Sequence, residues 1–465
     1  PDGVFNPGKI VRAPKMDDRR LFRYRPGYAP APFRPALDWS AWGGGETDGF
    51  LAAVEMCNNN GACRKAAPGV MCPSFRATGD EQHVTRGRAN SLRLALTGQL
   101  GPDALASDAM AEAMALCLGC KGCKRECPTG VDMARMKIEV QRRRAEVRGF
   151  TWRDRLIGWL PRYAPRMTHF GFLTRWRNRS HLLRWIGEAV LGLSARRPLP
   201  EWHPAPFLET PDEAGDGPEV VLFADTFSTW FEPEGPRAAL SVLRAAGYRI
   251  HVARPAVAGE RPLCCGRTFL SVGAVDQARA EARRTMAVLA PYLARGVPVI
   301  GLEPSCLYTM RDEWTAMLPG SGVVEAADLV FSLESFLVRE RDAGRLVLPL
   351  GELAIDRALV HGHCHQKAFD TAGDTAAALR LIPGLEVVPI AATCCGMAGA
   401  FGYQAETYDV SMAIGGLDLF DAVNKAPEGS VVIADGTSCR QQIRDGSGAR
   451  ASHAAVLLAE AVSPA

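Results

Sequence analysis

Apolar positions recur along this chain with two different periods, and the change falls near residue 216. Between residues 49 and 150, RGRANSLRLALTGQL, SDAMAEAMALCLG and VDMARMKIEVQRRRAEV carry apolar residues three and four apart, which predicts three helices. Ser107 and Asp108 stand where the second would be capped. From 216 onward the short runs EVVLFAD, YRIHVA and VPVIGLE predict strands, separated by helical segments such as GPRAALSVLRAAG and QARAEARRTMAVLAPYLARG. The scheme then returns. RALVHGH, LEVVPI and SVVIADG predict strands, with helices at TAAALRLI and near 405–424.

This recurrence is an internal repeat with aligned landmarks. Asp225-Thr226-Phe227 matches His363-Cys364-His365, Cys264-Cys265-Gly266 matches Cys394-Cys395-Gly396, and Cys306 matches Cys439. Each landmark follows a strand. Ligands of open α/β sheets gather beyond the carboxyl ends of strands, so the cysteines are expected in one pocket per copy or in one shared cleft.

Two stretches follow neither period. Residues 16–48 are rich in Pro, Arg and Gly and read as a linker or extended arm. Residues 151–215 alternate Arg with Trp, and from Arg142 to Arg197 the only acidic residues are Glu146, Asp154 and Glu188. That pattern fits a connector packed on a neighbour through its Trp face, or a basic amphipathic segment lying on an anionic membrane surface.

Composition narrows the chemistry. A length of 465 residues suits two to four domains, 47% apolar residues suffice for their cores, and a net charge of +3 gives no global case for nucleic-acid binding. No apolar run is long enough to span a bilayer. Fourteen cysteines is a high count, and they are clustered. In a long chain whose start does not read as an export signal, clustered thiols suggest metal ligands in a reducing compartment, hence the cytoplasm or the inner membrane face.

Cys117-x2-Cys120-x2-Cys123-x3-Cys127-Pro128 is the strongest signal. Thiolates at this spacing bind three corners of one [4Fe–4S] cube, and the fourth, before Pro, binds the other cluster of a two-cluster domain. The partner group is Cys57, Cys63 and Cys72-Pro73, with Asn60 where the template has another Cys. The crossing rule then assigns one cluster to Cys72, Cys117, Cys120 and Cys123, and the other to Cys57, Cys63 and Cys127. The second cluster is one thiolate short. It is expected as [3Fe–4S], or as [4Fe–4S] with Asn60, water or another residue on the fourth iron. A structural zinc site is the competing reading of these cysteines.

The Cys-Cys-Gly (CCG) pairs are a separate question. Adjacent cysteines bridge each other only with strain, but both can ligate metal if the Gly turns the backbone. The second copy offers Cys364, Cys394, Cys395 and Cys439 for a further cluster or metal, with His363 and His365 beside it. The first has Cys264, Cys265 and Cys306 but Thr226 in the fourth place, which makes it the weaker site. His363, His365 and Lys367 are either proton carriers for an acceptor or structural residues.

The combination of CxxCxxCxxxCP with two CCG repeats resembles the iron–sulfur components of glycolate oxidase and of anaerobic glycerol-3-phosphate dehydrogenase, and the CCG-bearing component of heterodisulfide reductase. CNNNGACRK, GVMCPSFRATGDEQHVTRGRAN and CCGMAGAFGY look like the iron–sulfur half of fused FAD-binding/iron–sulfur D-2-hydroxy-acid dehydrogenases, of the D-lactate or D-2-hydroxyglutarate type. In those fusions a flavin domain ends in a segment like DGVFNPGKI, so the resemblance implies that an FAD-linked oxidase domain precedes this chain or partners it. It places Asn6 and Lys9 near the flavin edge, and it makes a non-Cys residue at Asn60 ordinary.

The fold it implies is an α+β multidomain chain. Residues 1–15 would be the tail of the flavin domain and 16–48 a linker. Residues 49–150 would form a small all-α two-cluster ferredoxin-like domain and 151–215 a connector. Two repeated α/β CCG domains would follow at 216–345 and 346–465. The activity it implies is oxidation of D-lactate, D-2-hydroxyglutarate or glycolate at the flavin, with electrons leaving through the clusters to a quinone or cytochrome, at a peripheral membrane contact. A heterodisulfide-reductase-like activity and a non-catalytic iron–sulfur partner are the alternatives.

Overall fold

Two parallel four-stranded sheets with the same strand order organise the carboxyl-terminal half. The computed structural model describes residues 13, 15, 30–43, 45–65, 69–209, 217–255, 257 and 260–463. Asn6 and Lys9 lie outside the described residues.

The first sheet contains β1 (Glu219–Phe223), β2 (Arg249–Val252), β3 (Val299–Gly301) and β4 (Val330–Ser332), in the order β2-β1-β3-β4. The second contains β5 (Arg357–Val360), β6 (Glu386–Pro389), β7 (Val431–Ile433) and β8 (Ala451–Ser452), in the order β6-β5-β7-β8. All pairings are parallel. Six strands fall where the apolar runs predict them. The edge strands β4 and β8 were not expected, because their two or three residues run directly into helices Leu333–Asp342 and Ala454–Ala461. In each sheet the order reverses between the two central strands, which opens a crevice at their carboxyl ends.

The repeats face one another across that crevice. Glu303, just after β3, accepts a hydrogen bond from Thr437 N of the second repeat at 2.8 Å, and so serves an orphan N–H of helix Thr437–Ser447. Arg440 pairs with Glu232, and His453 Nε2 lies 3.2 Å from the Leu302 carbonyl. One apolar cluster runs through both repeats, from Val220, Leu222 and Ile300 to Ala358, Val360 and Ile433.

The amino-terminal region is helical and wraps the cysteine loops. Helices Thr85–Leu96, Asp108–Ala115 and Met133–Arg148 form as predicted, and Ser107 caps the second by accepting from Met110 N at 3.2 Å. The arm before it is not free. Buried Glu139 accepts from Ala36 N, Leu37 N at 2.8 Å and Trp39 Nε1 at 3.0 Å. Asp38 N bonds Ala316 O at 2.8 Å. The arm therefore ties the helical region to the first repeat.

Within residues 151–209 some Trp side chains pack inward and others are exposed. Trp159 packs edge-on against Phe269, 5.5 Å between centroids, and Trp202 lies 4.4 Å from Phe231. The outer helices, Gly171–Arg179 and His181–Leu191, hold Trp176 at 61% and Trp185 at 63% exposed, and Trp152 nearby in sequence is 77% exposed. Among the described residues, no helix is long and apolar enough to cross a membrane.

Candidate metal centres

Every cysteine is a free thiol and all but Cys127 and Cys364 are buried, so the pattern in sequence becomes a question of which thiols meet. Cys72, Cys117, Cys120 and Cys123 line one small cavity with Arg88, Leu118 and Met133. These are the four that the crossing rule groups. Two backbone features bring them there. Cys72 has a left-handed φ of 53°, uncommon for a residue with a side chain, and Pro73 then starts helix Pro73–Thr78. Gly119, at φ 64°, turns the loop between Cys117 and Cys120.

The cavity supplies donors suited to a charged sulfur. Thr85 N donates to Cys72 Sγ at 3.1 Å, and Thr85 Oγ1 is 3.0 Å away. Burial nevertheless pushes the Cys72 thiol up to about 11, and the thiols of Cys120 and Cys123 well above their ordinary range. Three or four thiols crowded together without charge compensation fit a cationic core that would take their protons.

Beside Cys120 the chain makes a buried ion network. Lys121 is wholly buried, pairs with Glu313 at 2.7 Å and also with Asp312. Lys124 and Arg135 reach the same Asp312, at 2.7 and 3.2 Å. Arg267, the residue after the first CCG, pairs with Glu313 at 3.0 Å. The cubane loop is thereby fastened to the first repeat.

Cys57 and Cys63 are electrostatic neighbours, with Arg86 close to both. Cys127 is half-buried with Thr129 Oγ1 at 3.3 Å. Asn60 is exposed, and its amide is engaged locally: Nδ2 donates to Asn58 Oδ1 at 2.6 Å and Oδ1 accepts from Ala62 N at 2.8 Å. Its side chain closes the turn between the two cysteines.

The two CCG pairs share one backbone device. Gly266 and Gly396 both have φ of 91°, and a Cβ would meet Ala278 O at 2.9 Å in one and Ser411 O at 2.3 Å in the other. Gly266 N donates to Cys264 Sγ at 3.3 Å and Gly396 N to Cys394 Sγ at 3.4 Å. Only glycine allows this turn and this approach.

The chemistry around the pairs differs. In the second repeat, hydrogen bonding from Cys394 lowers Cys364 to about 6, and hydrogen bonding from Cys394 and Cys439 holds Cys395 well below its ordinary range. Their partners Cys394 and Cys439 are raised in turn, and His361, His363 and Lys367 lie nearby. In the first repeat, hydrogen bonding from Cys265 lowers Cys306, but burial and the carboxylates of Asp225 and Glu303 push it up to about 12. Cys264 and Cys265 are also raised. The second set offers four thiols with imidazoles and an ammonium nearby; the first offers three thiols beside the carboxylates of Asp225 and Glu303.

His361 is the residue that sequence reading passed over. It is 1% exposed, both ring nitrogens lack a nitrogen or oxygen partner, and its ring lies with Cys395 and Cys439 so that one ligand atom of each falls within 4.8 Å of the others. Its signal was its place at the end of β5, two residues before His363. The expected proton carriers have structural duties. His363 Nδ1 accepts from His365 N at 3.1 Å as a helix cap, and Lys367 Nζ donates to Thr393 O at 3.0 Å, holding the loop before Cys394. His363 also fills the space that a side chain on Gly436 would take beside Cys439.

The thiol groups are contiguous. Cys72, Cys117, Cys120 and Cys123 line one cavity, and Cys117 lines a second with Cys364, Cys394 and Cys395. A line of sulfur sites thus leads from the helical region into the second repeat.

Comparison with known proteins agrees with this arrangement. Residues 53–131 match the 4Fe-4S dicluster domain family. The chain is 28% identical over 289 residues to one component of the anaerobic glycerol-3-phosphate dehydrogenase of Escherichia coli (strain K12), covering 60% of this chain and 70% of that protein. It is 27% identical over 450 residues to D-2-hydroxyglutarate dehydrogenase of Pseudomonas putida, and 23% over 451 residues to that of Escherichia coli (strain K12). Each of the latter matches covers 85% of this chain, and the chain spans 42% of the length of those relatives. Residues 53–131 thus carry the likeness to a 4Fe-4S dicluster domain, and the relatives that match more of the chain are dehydrogenases and a dehydrogenase component.

Proposed function

We propose that this chain is the electron-exit half of an FAD- and iron–sulfur-dependent D-2-hydroxy-acid dehydrogenase. A flavin domain, fused or separate, would oxidise D-2-hydroxyglutarate, D-lactate or glycolate, and this chain would carry the electrons to a quinone or cytochrome. The observation that carries the reading is the run of thiols: Cys72, Cys117, Cys120 and Cys123 line one cavity, and Cys117 lines a second with Cys364, Cys394 and Cys395.

Iron–sulfur clusters bound here would accept and release single electrons at potentials set by their surroundings. Cys72, Cys117, Cys120 and Cys123 would hold one, Cys57, Cys63 and Cys127 a second, and Cys364, Cys394, Cys395 and Cys439 a further cluster or metal with His361 beside it. The chain's own contribution is to exclude water, to fix spacing, and to place Arg88, Lys137 and Arg267 near the sulfurs. Lys137 Nζ donates to the Cys117 carbonyl at 2.6 Å.

The outer helices support a peripheral membrane contact. Phe172, Leu173, Trp176, Leu182, Trp185 and Val190 are exposed on a segment rich in arginine, the composition of a helix lying in an anionic interface. The test of function is anaerobic reduction of the full-length protein. Bleaching of its cluster absorbance by D-2-hydroxyglutarate or D-lactate supports the reading; clusters that dithionite reduces and no 2-hydroxy acid does would refute it.

A further inference from the structure

A cavity of about 680 Å³ lies between the second repeat, the cubane loop and the Arg/Trp-rich helices. Cys117, Cys364, Cys394 and Cys395 line its inner end. From there the lining runs on to Tyr163, Met167, Trp202, Phe227 and Phe231, so it holds much more than a metal group on those thiols would fill. Arg148, Gly149, Thr151 and Leu156 line it as well and are exposed, which places its mouth beside Trp152.

We propose that this cavity binds a lipophilic quinone, with the ring at the thiol end and the tail along the aromatic wall toward the mouth. The inference rests on the electron-exit reading above and chooses between its two acceptors. A cytochrome takes electrons at an exposed surface and needs no cavity. A pocket of this size, mostly apolar with a few polar groups gathered at one end, suits a small apolar ligand. Three groups at the inner end match a quinone's oxygens. The Arg267 guanidinium and the Ser438 hydroxyl can donate to carbonyls. His365 Nδ1, buried and without a partner, can accept from a quinol hydroxyl. The mouth opens among the same helices that expose Trp152 and Trp176, where a tail dissolved in a bilayer would arrive.

The balance is that of quinone reduction. Two electrons come singly through the sulfur line from the reduced flavin, and two protons come from solvent. The two carbonyl oxygens become hydroxyls and the ring becomes aromatic.

The test is photolabelling of the anaerobically purified full-length protein with an azidoquinone bearing a short alkyl tail, followed by peptide mapping. Label on peptides containing Arg267, His365 or Ser438, displaced by excess decylubiquinone, is the expected result. Met167→Trp and, at Leu160 of the same lining, Leu160→Trp should each weaken decylubiquinone binding at least tenfold in a fluorescence titration while cluster absorbance is retained. Label elsewhere, label that decylubiquinone does not displace, or unchanged affinity in both variants would overturn the site. Displaceable label in the cavity together with failure of 2-hydroxy acids to reduce the clusters would keep the site and remove the assigned donor.

Discussion

His365 Nε2 lies 3.1 Å from the carbonyl oxygen of Gly119, so the second repeat holds the cubane loop by a hydrogen bond between two candidate centres. Burial keeps the His365 imidazole well below its ordinary range and therefore neutral, which makes Nε2–H the donor. His365→Leu leaves a buried carbonyl without that donor and should cost about 1–3 kcal/mol in urea denaturation. The same variant should shift the midpoint potential of the adjacent cluster in an EPR-monitored titration, and His365→Gln should recover part of both losses.

Lys121 is buried against Asp312 and Glu313, and removing one carboxylate leaves the ammonium under-compensated. Asp312→Asn should destabilise the protein by up to about 3–5 kcal/mol, with Glu313 retained as partial relief. Burial raises the Asp312 carboxyl, but Lys121, Lys124 and Arg135 outweigh it and hold it far below its ordinary value. A depressed native pKa means that the unfolded chain binds the proton more readily. The stability from Asp312 is therefore present above the unfolded carboxylate range and lost as pH falls below about 4. Urea midpoints of wild type and Asp312→Asn should converge on acidification; parallel acid limbs would exclude this assignment.

The two CCG pairs should behave differently toward metal. Cys394→Ser should lower iron and acid-labile sulfide per chain, and Cys264→Ser should leave both near the wild-type level. Equal losses would show the first repeat to be an equivalent site.

Gly396→Ala should disrupt the second pair more than a cysteine substitution does. The added methyl meets Ser411 O at 2.3 Å, and alanine at φ 91° is strained. A loss of about 2 kcal/mol or more, with loss of the second-repeat metal, is expected. Thermal melts paired with iron analysis would check it.

Replacing Trp176 and Trp185 by Ser should weaken sedimentation with anionic vesicles, and raising the salt should weaken the wild type further, because the arginine contribution is screened. Binding to anionic and neutral vesicles alike would argue against the electrostatic part.

Much of this architecture was legible in the sequence. Six strand cores are short apolar runs ended by turn residues, and the repeat aligned Asp225 with His363, which serve as matching helix caps. What escaped depends on distance in sequence. The strands β4 and β8 are too short to carry a period. Glu139 clamps an arm about a hundred residues away, which no local pattern records. His361 reads as an ordinary strand end until the fold sets it against Cys395 and Cys439. The Arg/Trp-rich segment offered two readings because its Trp residues divide: Trp159 and Trp202 pack inward while Trp176 and Trp185 face out.

The hydrogen bond from Thr437 N to Glu303 and the apolar cluster common to both sheets bear on how this protein can be cut. A polypeptide ended near residue 346 would uncover the first repeat's side of that apolar cluster and leave Glu303 with Ser305 but without its bond to Thr437. The repeats should therefore melt together as one cooperative unit. Efforts to express either alone should yield insoluble material, whereas co-expression of the two pieces should restore a soluble pair.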